Sequence, residues 1–140
     1  MHDPVEIAAR FQNIATRLLR QARVLDEGSS ITSAQYSTLS TLFSHPGLPL
    51  TELAAFEMVS HPTMSRTVSA LIKQGLIVSA KDSQDRRAVR LSLSEAGKVA
   101  YQQVYAKRLA IIGAVLKRLK PETVADLLDN FEQLMGKPDS

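Results

Sequence analysis

Apolar residues at helical spacing mark both ends of the chain. Near the N-terminus, steps of three and four residues predict one long amphipathic helix that ends near Gly28; its apolar stripe is Ile7, Phe11, Ile14, Leu18, Ala22 and Leu25. At the other end, Ser94 is predicted to cap a long helix that runs to about Leu119, and Pro121 opens a last helix. The chain is therefore expected to begin and end in long helices with one apolar side.

Shorter helices are predicted between these ends. Thr32 and Gln35 have the spacing of a capping box, which predicts a second helix running to about Ser44. The hydroxyls of Thr51 and Ser60 are then predicted to cap a third helix and a fourth one. The third helix is predicted to end near Glu57, and the fourth helix at Gly75. Two short helices joined by a brief turn have the outline of a helix-turn-helix.

After this helix pair the pattern changes from helical to alternating. Alternating apolar residues predict two strands, with Leu76, Val78 and Ala80 in the first and Val89, Leu91 and Leu93 in the second. The polar residues 81–86 separate them and predict the tip of a β-hairpin. A helix-turn-helix followed by a hairpin is the winged-helix arrangement. The predicted fold class is therefore mainly α with a small β-hairpin wing.

The distribution of charge points to an anionic partner. The whole chain has a formal net charge of +3, whereas residues 60–92 hold six basic residues against two acidic ones, a net charge of +4. Cysteine is absent, which excludes disulfides, thiolate metal sites and thiol redox sensing. The sequence has no signal-peptide pattern and no apolar run long enough to span a membrane, so we expect no membrane association and a cytoplasmic protein.

Five segments then carry a resemblance to a known family. They are LTELA at 50–54, SHPTMSR at 60–66, GLI at 75–77, DSQDRR at 82–87 and LSLSEAG at 91–97. Their order and spacing resemble the MarR family of winged helix-turn-helix transcriptional regulators. The resemblance implies a single domain over 1–140, made of a DNA-binding lobe at 32–93 and a helical dimerisation region at 1–28 and 94–140. It also implies a homodimer on a pseudo-palindromic double-stranded DNA operator.

The start of the fourth helix is the expected place for base recognition. Arg66 can fork onto the O6 and N7 atoms of guanine, while His61, Thr63 and Ser65 can bond bases or phosphates. Ser60 and Thr51 are better placed for phosphate contacts that double as helix caps. The alternative for the hydroxyl residues is capping alone, and for Arg66 a surface ion pair.

The predicted wing supplies the second set of contacts. The resemblance implies that Arg87 enters the minor groove and that Asp85 fixes its guanidinium group. Arg86 is expected to touch the DNA backbone or to pair with Asp82, and Arg90 to lie on the polar side of its strand, where solvation alone explains it. The alternative for the whole cluster is an ordinary charged hairpin turn.

Other functions receive less support from the sequence. No nucleophile elbow, phosphate loop or dinucleotide pattern is present, which predicts neither an enzyme nor a cofactor. His2, His45 and His61 lack metal-ligand spacing, so no metal site is predicted.

The effector site is left unassigned. Three aromatic residues either line a cleft for a small aromatic ligand or belong to the core: Tyr36, Tyr101 and Tyr105. Four basic residues of the first helix either bind an anionic effector or are only solvated: Arg10, Arg17, Arg20 and Arg23. The function expected is a ligand-responsive repressor, with activation decided by operator position. The alternative is a winged-helix module that docks proteins or shapes DNA without an effector.

Overall fold

The computed structural model describes residues 3–24, 30–85 and 87–136. Within these ranges the chain forms six helices: α1 Pro4–Val24, α2 Ser33–Ser44, α3 Leu50–Phe56, α4 His61–Lys73, α5 Glu95–Leu116 and α6 Pro121–Met135. The three strands are β1 Leu48–Pro49, β2 Ile77–Lys81 and β3 Val89–Leu93. The predicted fold class, mainly α with a small hairpin, is confirmed. The predicted end of the first helix near Gly28 lies outside the described residues.

Hydroxyl caps fix the starts of three helices. Thr32 accepts a hydrogen bond from the Gln35 amide at 3.2 Å, and the Gln35 side chain accepts one from the Thr32 amide at 3.1 Å, so the capping box is confirmed. Ser60 caps α4 by accepting from the Thr63 amide, and Ser94 caps α5 by accepting from the Gly97 amide. Both of these predictions are also confirmed.

The cap predicted for α3 is wrong. This helix begins at Leu50, directly after β1, and its N-cap residue is Pro49, which forms no side-chain cap bond. The chain turns from the strand straight into the helix, and Thr51 already lies inside the first helical turn. The short strand β1 was not foreseen, because two residues are too few to show an alternating pattern.

The three strands form one antiparallel sheet in the order β1-β3-β2. Ile77 pairs with Leu93 and Ser79 with Leu91, so the inward face of β2 begins at Ile77. The predicted alternation of Leu76, Val78 and Ala80 is therefore out of phase by one residue: Val78 is half exposed, whereas Ile77 is buried.

The cause of this shift is the way α4 ends. Gly75 has a φ of 74°, its amide bonds the Ile72 carbonyl, and the Leu76 amide bonds the Leu71 carbonyl. This is a Schellman cap, in which the residue after the glycine packs back towards the helix. Leu76 therefore belongs to the helix end, and the strand alternation starts one residue later.

Contacts within the chain define two units. Of the described residues, the first unit, called the helical unit, contains 3–24 and 106–136, and the second unit, called the lobe, contains 30–85 and 87–105. In the lobe, α2, α3, α4, the sheet and the beginning of α5 enclose one apolar core; its fully buried members include Leu39, Leu42, Leu53, Leu71 and Ile77. In the helical unit, the rings of Phe11 in α1 and Phe131 in α6 stack at 5.2 Å.

Candidate nucleic-acid interface

The helices α3 and α4 form the helix-turn-helix of the lobe. Leu53 of α3 and three residues of α4 (Met64, Val68 and Leu71) are buried in the common core. The turn between the helices contains Met58, which has a φ of 53° and a side chain 91% exposed. Burial of one side of α4 leaves its opposite side facing solvent.

Basic and polar side chains occupy this outward side of α4. Arg66, Ser69 and Lys73 are all exposed and follow one another at steps of three and four residues, which places them in one row. Arg66 was predicted to take part in DNA binding, whereas Ser69 and Lys73 were not among the predicted site residues. Their spacing from Arg66 is the sequence signal that would have included them.

The N-terminus of α4 is organised by two hydroxyl groups. The Ser60 hydroxyl accepts from the Thr63 amide at 3.3 Å and donates to the Thr63 hydroxyl oxygen at 2.8 Å. Thr63 can still donate its own hydrogen to an acceptor such as a phosphate oxygen. His61 is exposed at the first helical position, and Ser65 is half-buried one turn later. A helix N-terminus of this kind favours negative charge.

Thr51 lies apart from this cap. It is exposed in the first turn of α3, beside Glu52. Because Thr51 does not cap its helix, a phosphate contact is the remaining function predicted for its hydroxyl.

The tip of the wing is closed by two aspartates. Asp82 accepts a hydrogen bond from the Gln84 amide at 3.1 Å, and Asp85 accepts one from the Arg87 amide at 3.0 Å. These are side-chain turns of the kind that aspartate favours. Asp85 therefore contacts Arg87 through the backbone, and the exposed Arg87 side chain forms no salt bridge within the described residues. Arg86 lies outside the described residues.

Arg90 has a different role from the one expected. One arm of its guanidinium group donates to the Gly47 carbonyl and the other to the Asp82 carboxylate, both at 3.1 Å. The interpretation that Arg90 is merely solvated is therefore wrong. The partner of Asp82 within the described residues is Arg90. Sequence reasoning missed the contact with Gly47 because 43 residues separate it from Arg90, and it considered Arg86 rather than Arg90 as the partner of Asp82.

Asp82 is held in its charged form. The Gln84 amide contributes most to lowering the pKa of Asp82 below its usual 3.8, and Arg90 lowers it further, although partial burial of the carboxylate opposes both. The carboxylate therefore stays ionised, and can bind Arg90, throughout the neutral range.

A second polar contact holds the helix-turn-helix against α2. Glu57, the residue at the C-terminal end of α3, accepts hydrogen bonds from the Ser37 hydroxyl at 2.7 Å and from the Thr41 hydroxyl at 2.8 Å. A carboxylate at a helix C-terminus faces the negative end of the helix dipole, and these two donors offset that repulsion. The contact fixes the residue just before the turn that leads into α4.

Comparison with known proteins places this lobe in a family. A sequence model of the MarR family matches residues 31–89. The helix-turn-helix-type transcriptional regulator FarR of Neisseria gonorrhoeae is 30% identical over 120 residues, which cover 84% of this chain and 82% of FarR. The chain belongs to the MarR family. The resemblance drawn from the five sequence segments is thereby confirmed.

Other relatives agree with this assignment. The transcriptional repressor MdtR of Bacillus subtilis strain 168 is 29% identical to this MarR-family chain over 118 residues, which cover 84% of the chain and 74% of MdtR. Among solved structures, Streptococcus pneumoniae FabT in complex with DNA has a TM-score of 0.79 and 21% identity, with 94% of each chain covered. At this level of identity the structural likeness shows a shared fold.

The aromatic residues of this MarR-family protein form a stack inside the lobe. Tyr101 is buried and lies 5.6 Å from Tyr36, 4.7 Å from Phe43 and 5.6 Å from Tyr105, measured between ring centroids. Tyr101 lies in the apolar core and Tyr36 packs against it, which supports the interpretation of these two residues as core, whereas Tyr105 is 44% exposed.

The described residues contain neither a candidate metal site nor a candidate membrane span. Among them, no group of three or more histidine, cysteine, aspartate or glutamate side chains is arranged to hold a metal ion. No helix in the described ranges has the length and apolar character needed to cross a membrane.

The helical unit exposes much apolar surface. In α1, Ile7, Phe11 and Ile14 are each at least 50% exposed, and α6 contains no buried residue at all. The four arginines of α1 are exposed too: Arg10, Arg17, Arg20 and Arg23.

Proposed function

We propose that this MarR-family protein is a homodimer that binds double-stranded DNA at a pseudo-palindromic operator and represses transcription until a ligand releases it. The observation that carries the proposal is the exposed row on α4, which runs from the second turn of the helix to its C-terminal end and contains Arg66 and Lys73. The second helix of a helix-turn-helix normally enters the major groove with such a face. MdtR, a relative, is named a transcriptional repressor.

Each predicted site residue then has a part in the complex. Arg66 reads guanine in the major groove, and the positive end of α4 meets a phosphate through the Thr63 hydroxyl. Arg87 inserts into the minor groove from the wing, whose turn Asp85 holds in shape. The remaining contacts to bases or phosphates come from Thr51, Ser60, His61, Ser65 and Arg86.

A second copy would cover the apolar surface of the helical unit. Side chains such as Phe11, Ile14 and Leu134 are 52%, 60% and 83% exposed, and contiguous apolar surface of this kind is costly to leave in water. We propose that α1, α6 and the end of α5 form the dimer interface. This would give two lobes for two half-sites about one helical turn apart.

Ligand response and location complete the proposal. A small aromatic or anionic molecule that binds unequally to the DNA-bound and free forms would shift the protein between them. MdtR and FarR are both named as regulators of transcription, so we propose no catalytic activity. Because such a regulator needs access to the chromosome, we propose that it acts in the cytoplasm.

The first experiment is selection of sequences from a random duplex pool, followed by a salt titration on the selected site. We expect an inverted repeat with half-sites about ten base pairs apart and an affinity that falls steeply with salt. Sedimentation of the free protein should give the mass of two chains. Absence of enrichment, with binding that is weak and uniform, would instead favour a docking or architectural module.

Two variants separate the helix from the wing. Arg87→Ala should weaken binding to all sequences and lower the slope of log affinity against log salt by about 1 per wing. Arg66→Ala should relax preference at one position of each half-site, at about 1–3 kcal/mol per contact. Lys98→Ala removes one positive charge from an exposed position in the first turns of α5, which is not among the proposed DNA or dimer contacts, and is the control. An Arg87→Ala protein that binds like the wild type would show that the wing is assigned wrongly.

A further inference from the structure

The Arg90 side chain connects two parts of the lobe. Gly47, which accepts from one arm of the guanidinium group, lies in the turn that leads through β1 to α3. Asp82, which accepts from the other arm, lies directly after β2, where the turn at the tip of the wing begins. Arg90 is therefore a bridge between the tip of the wing and the entry to the helix-turn-helix.

Both ends of this bridge are anchored. The Gly47 amide donates to the Leu91 carbonyl at 2.8 Å, and the Asp82 amide donates to the Ala88 carbonyl at 3.0 Å. One carboxylate oxygen of Asp82 binds Gln84 and the other binds Arg90. With both oxygens occupied and the side chain only 16% exposed, Asp82 has little capacity left for other ligands.

The guanidinium group of Arg90 is held on two sides within the lobe. Each of its terminal nitrogens donates one hydrogen bond to a protein acceptor, which fixes the position of the group although the side chain is 54% exposed. The planar fork of arginine suits two acceptors held at fixed positions, which the single charge of a lysine does not match. An exposed ion pair adds little to the stability of a fold, so the effect of this bridge is expected elsewhere.

We propose that Arg90 and Asp82 are positioning residues that hold the wing, and with it Arg87, in place relative to α3 and α4. The inference rests on the proposed function, since it concerns the DNA affinity of the same lobe. A wing without the bridge must be ordered when DNA binds, and ordering side chains and loops reduces affinity. We expect a loss of about 3- to 10-fold per half-site when the bridge is broken.

Asp82→Asn tests the inference through the sign of its effect. Asparagine can still accept from the Gln84 amide, but it lacks the charge that binds Arg90. Removal of a negative charge from a DNA-binding surface should by itself strengthen binding to a polyanion. The positioning role predicts weaker binding instead. Glu95→Gln is the matched control. It also removes one negative charge from the lobe, and the Glu95 carboxylate likewise forms a salt bridge, with Lys98 at 3.1 Å.

A double-variant series locates the effect in the wing. Arg90→Lys keeps the charge and loses the fork, so it should weaken binding about as much as Asp82→Asn. In a protein that already carries Arg87→Ala, Arg90→Lys and Asp82→Asn should have little further effect, because the wing contact is already lost. Thermal unfolding should show that all these variants fold.

The outcomes distinguish this inference from the proposed function. If wild-type protein binds its selected operator but Asp82→Asn binds as tightly as Glu95→Gln or more tightly, the positioning role is overturned. An Arg90→Lys effect that persists in full beside Arg87→Ala would overturn it as well, and would indicate a direct phosphate contact. If wild-type protein binds no duplex, the proposed function itself fails.

Discussion

Gly97→Ala should destabilise the lobe, although alanine is the better helix former. Gly97 lies in the first turn of α5, and a Cβ atom there would lie 2.0 Å from the Leu76 carbonyl oxygen and 3.0 Å from its carbon. The obstructing atoms are backbone, so no side chain can rotate away. α5 and the end of α4 must therefore separate by about 1 Å for the methyl group to fit.

The cost can be worked out from the bonds at this contact. The Ser94 amide donates to the Leu76 carbonyl at 3.1 Å and the Ser94 hydroxyl donates to the Gly75 carbonyl, and separation weakens both. Each such bond contributes about 1 kcal/mol, and overpacking adds about 1–3 kcal/mol of strain. The higher helix propensity of alanine compared with glycine offsets about 1 kcal/mol of this loss in stability. We expect a net loss of about 3 kcal/mol, or about 10 °C in Tm.

Thermal unfolding at fixed protein concentration measures this loss, because the stability of the proposed dimer would depend on concentration. Ala96→Gly is the matched control: Ala96 is exposed in the same turn, so this change reports helix preference alone and should cost at most about 1 kcal/mol. A Gly97→Ala protein with an unchanged or higher Tm would refute the close approach of α5 to Leu76.

Two further substitutions test the helix-turn-helix. Met58→Gly should stabilise the protein by about 0.5–1 kcal/mol, because Met58 has a φ of 53° that glycine adopts without strain; Met58→Ala, which keeps a Cβ, should change the stability little, and equal effects of the two would contradict this explanation. Thr41→Val should cost about 1–2 kcal/mol by removing a donor to the Glu57 carboxylate, whereas Ser37→Ala, at the exposed donor, should cost less. Chemical denaturation measures both pairs.

Local signals made much of the fold predictable. The helices α2, α4 and α5 each start at a side-chain hydroxyl that bonds the backbone amide three residues later. The end of α4 depends on one residue, Gly75. Each of these features is determined by a few consecutive residues and can therefore be predicted from the sequence. The family could be recognised for a related reason, since its segments keep a fixed order and spacing along the chain.

Features that depend on distant residues could not be predicted in this way. Strand β1 exists because Leu48 and Pro49 pair with Leu91 and Arg90, more than forty residues away. The phase of β2 was misjudged because Leu76 looks like a strand residue by its apolar side chain but acts as part of a helix cap. The sequence marked Arg90 only as a solvated residue and Glu57 only as a helix end, and their partners became visible with the tertiary structure.

These distant contacts share a mechanical consequence. α4 is held before its N-terminus by Glu57 against α2, and after its C-terminus by Ser94 against Gly75, while Arg90 holds the wing. A residue that only positions a DNA-contacting segment changes the DNA affinity through the ordering of that segment. It should leave the number of phosphate contacts nearly unchanged, and therefore also the slope of log affinity against log salt. A residue that contacts DNA directly, as proposed for Arg87, should change the slope itself. The salt slope of each variant therefore separates the two kinds of residue where affinity alone does not.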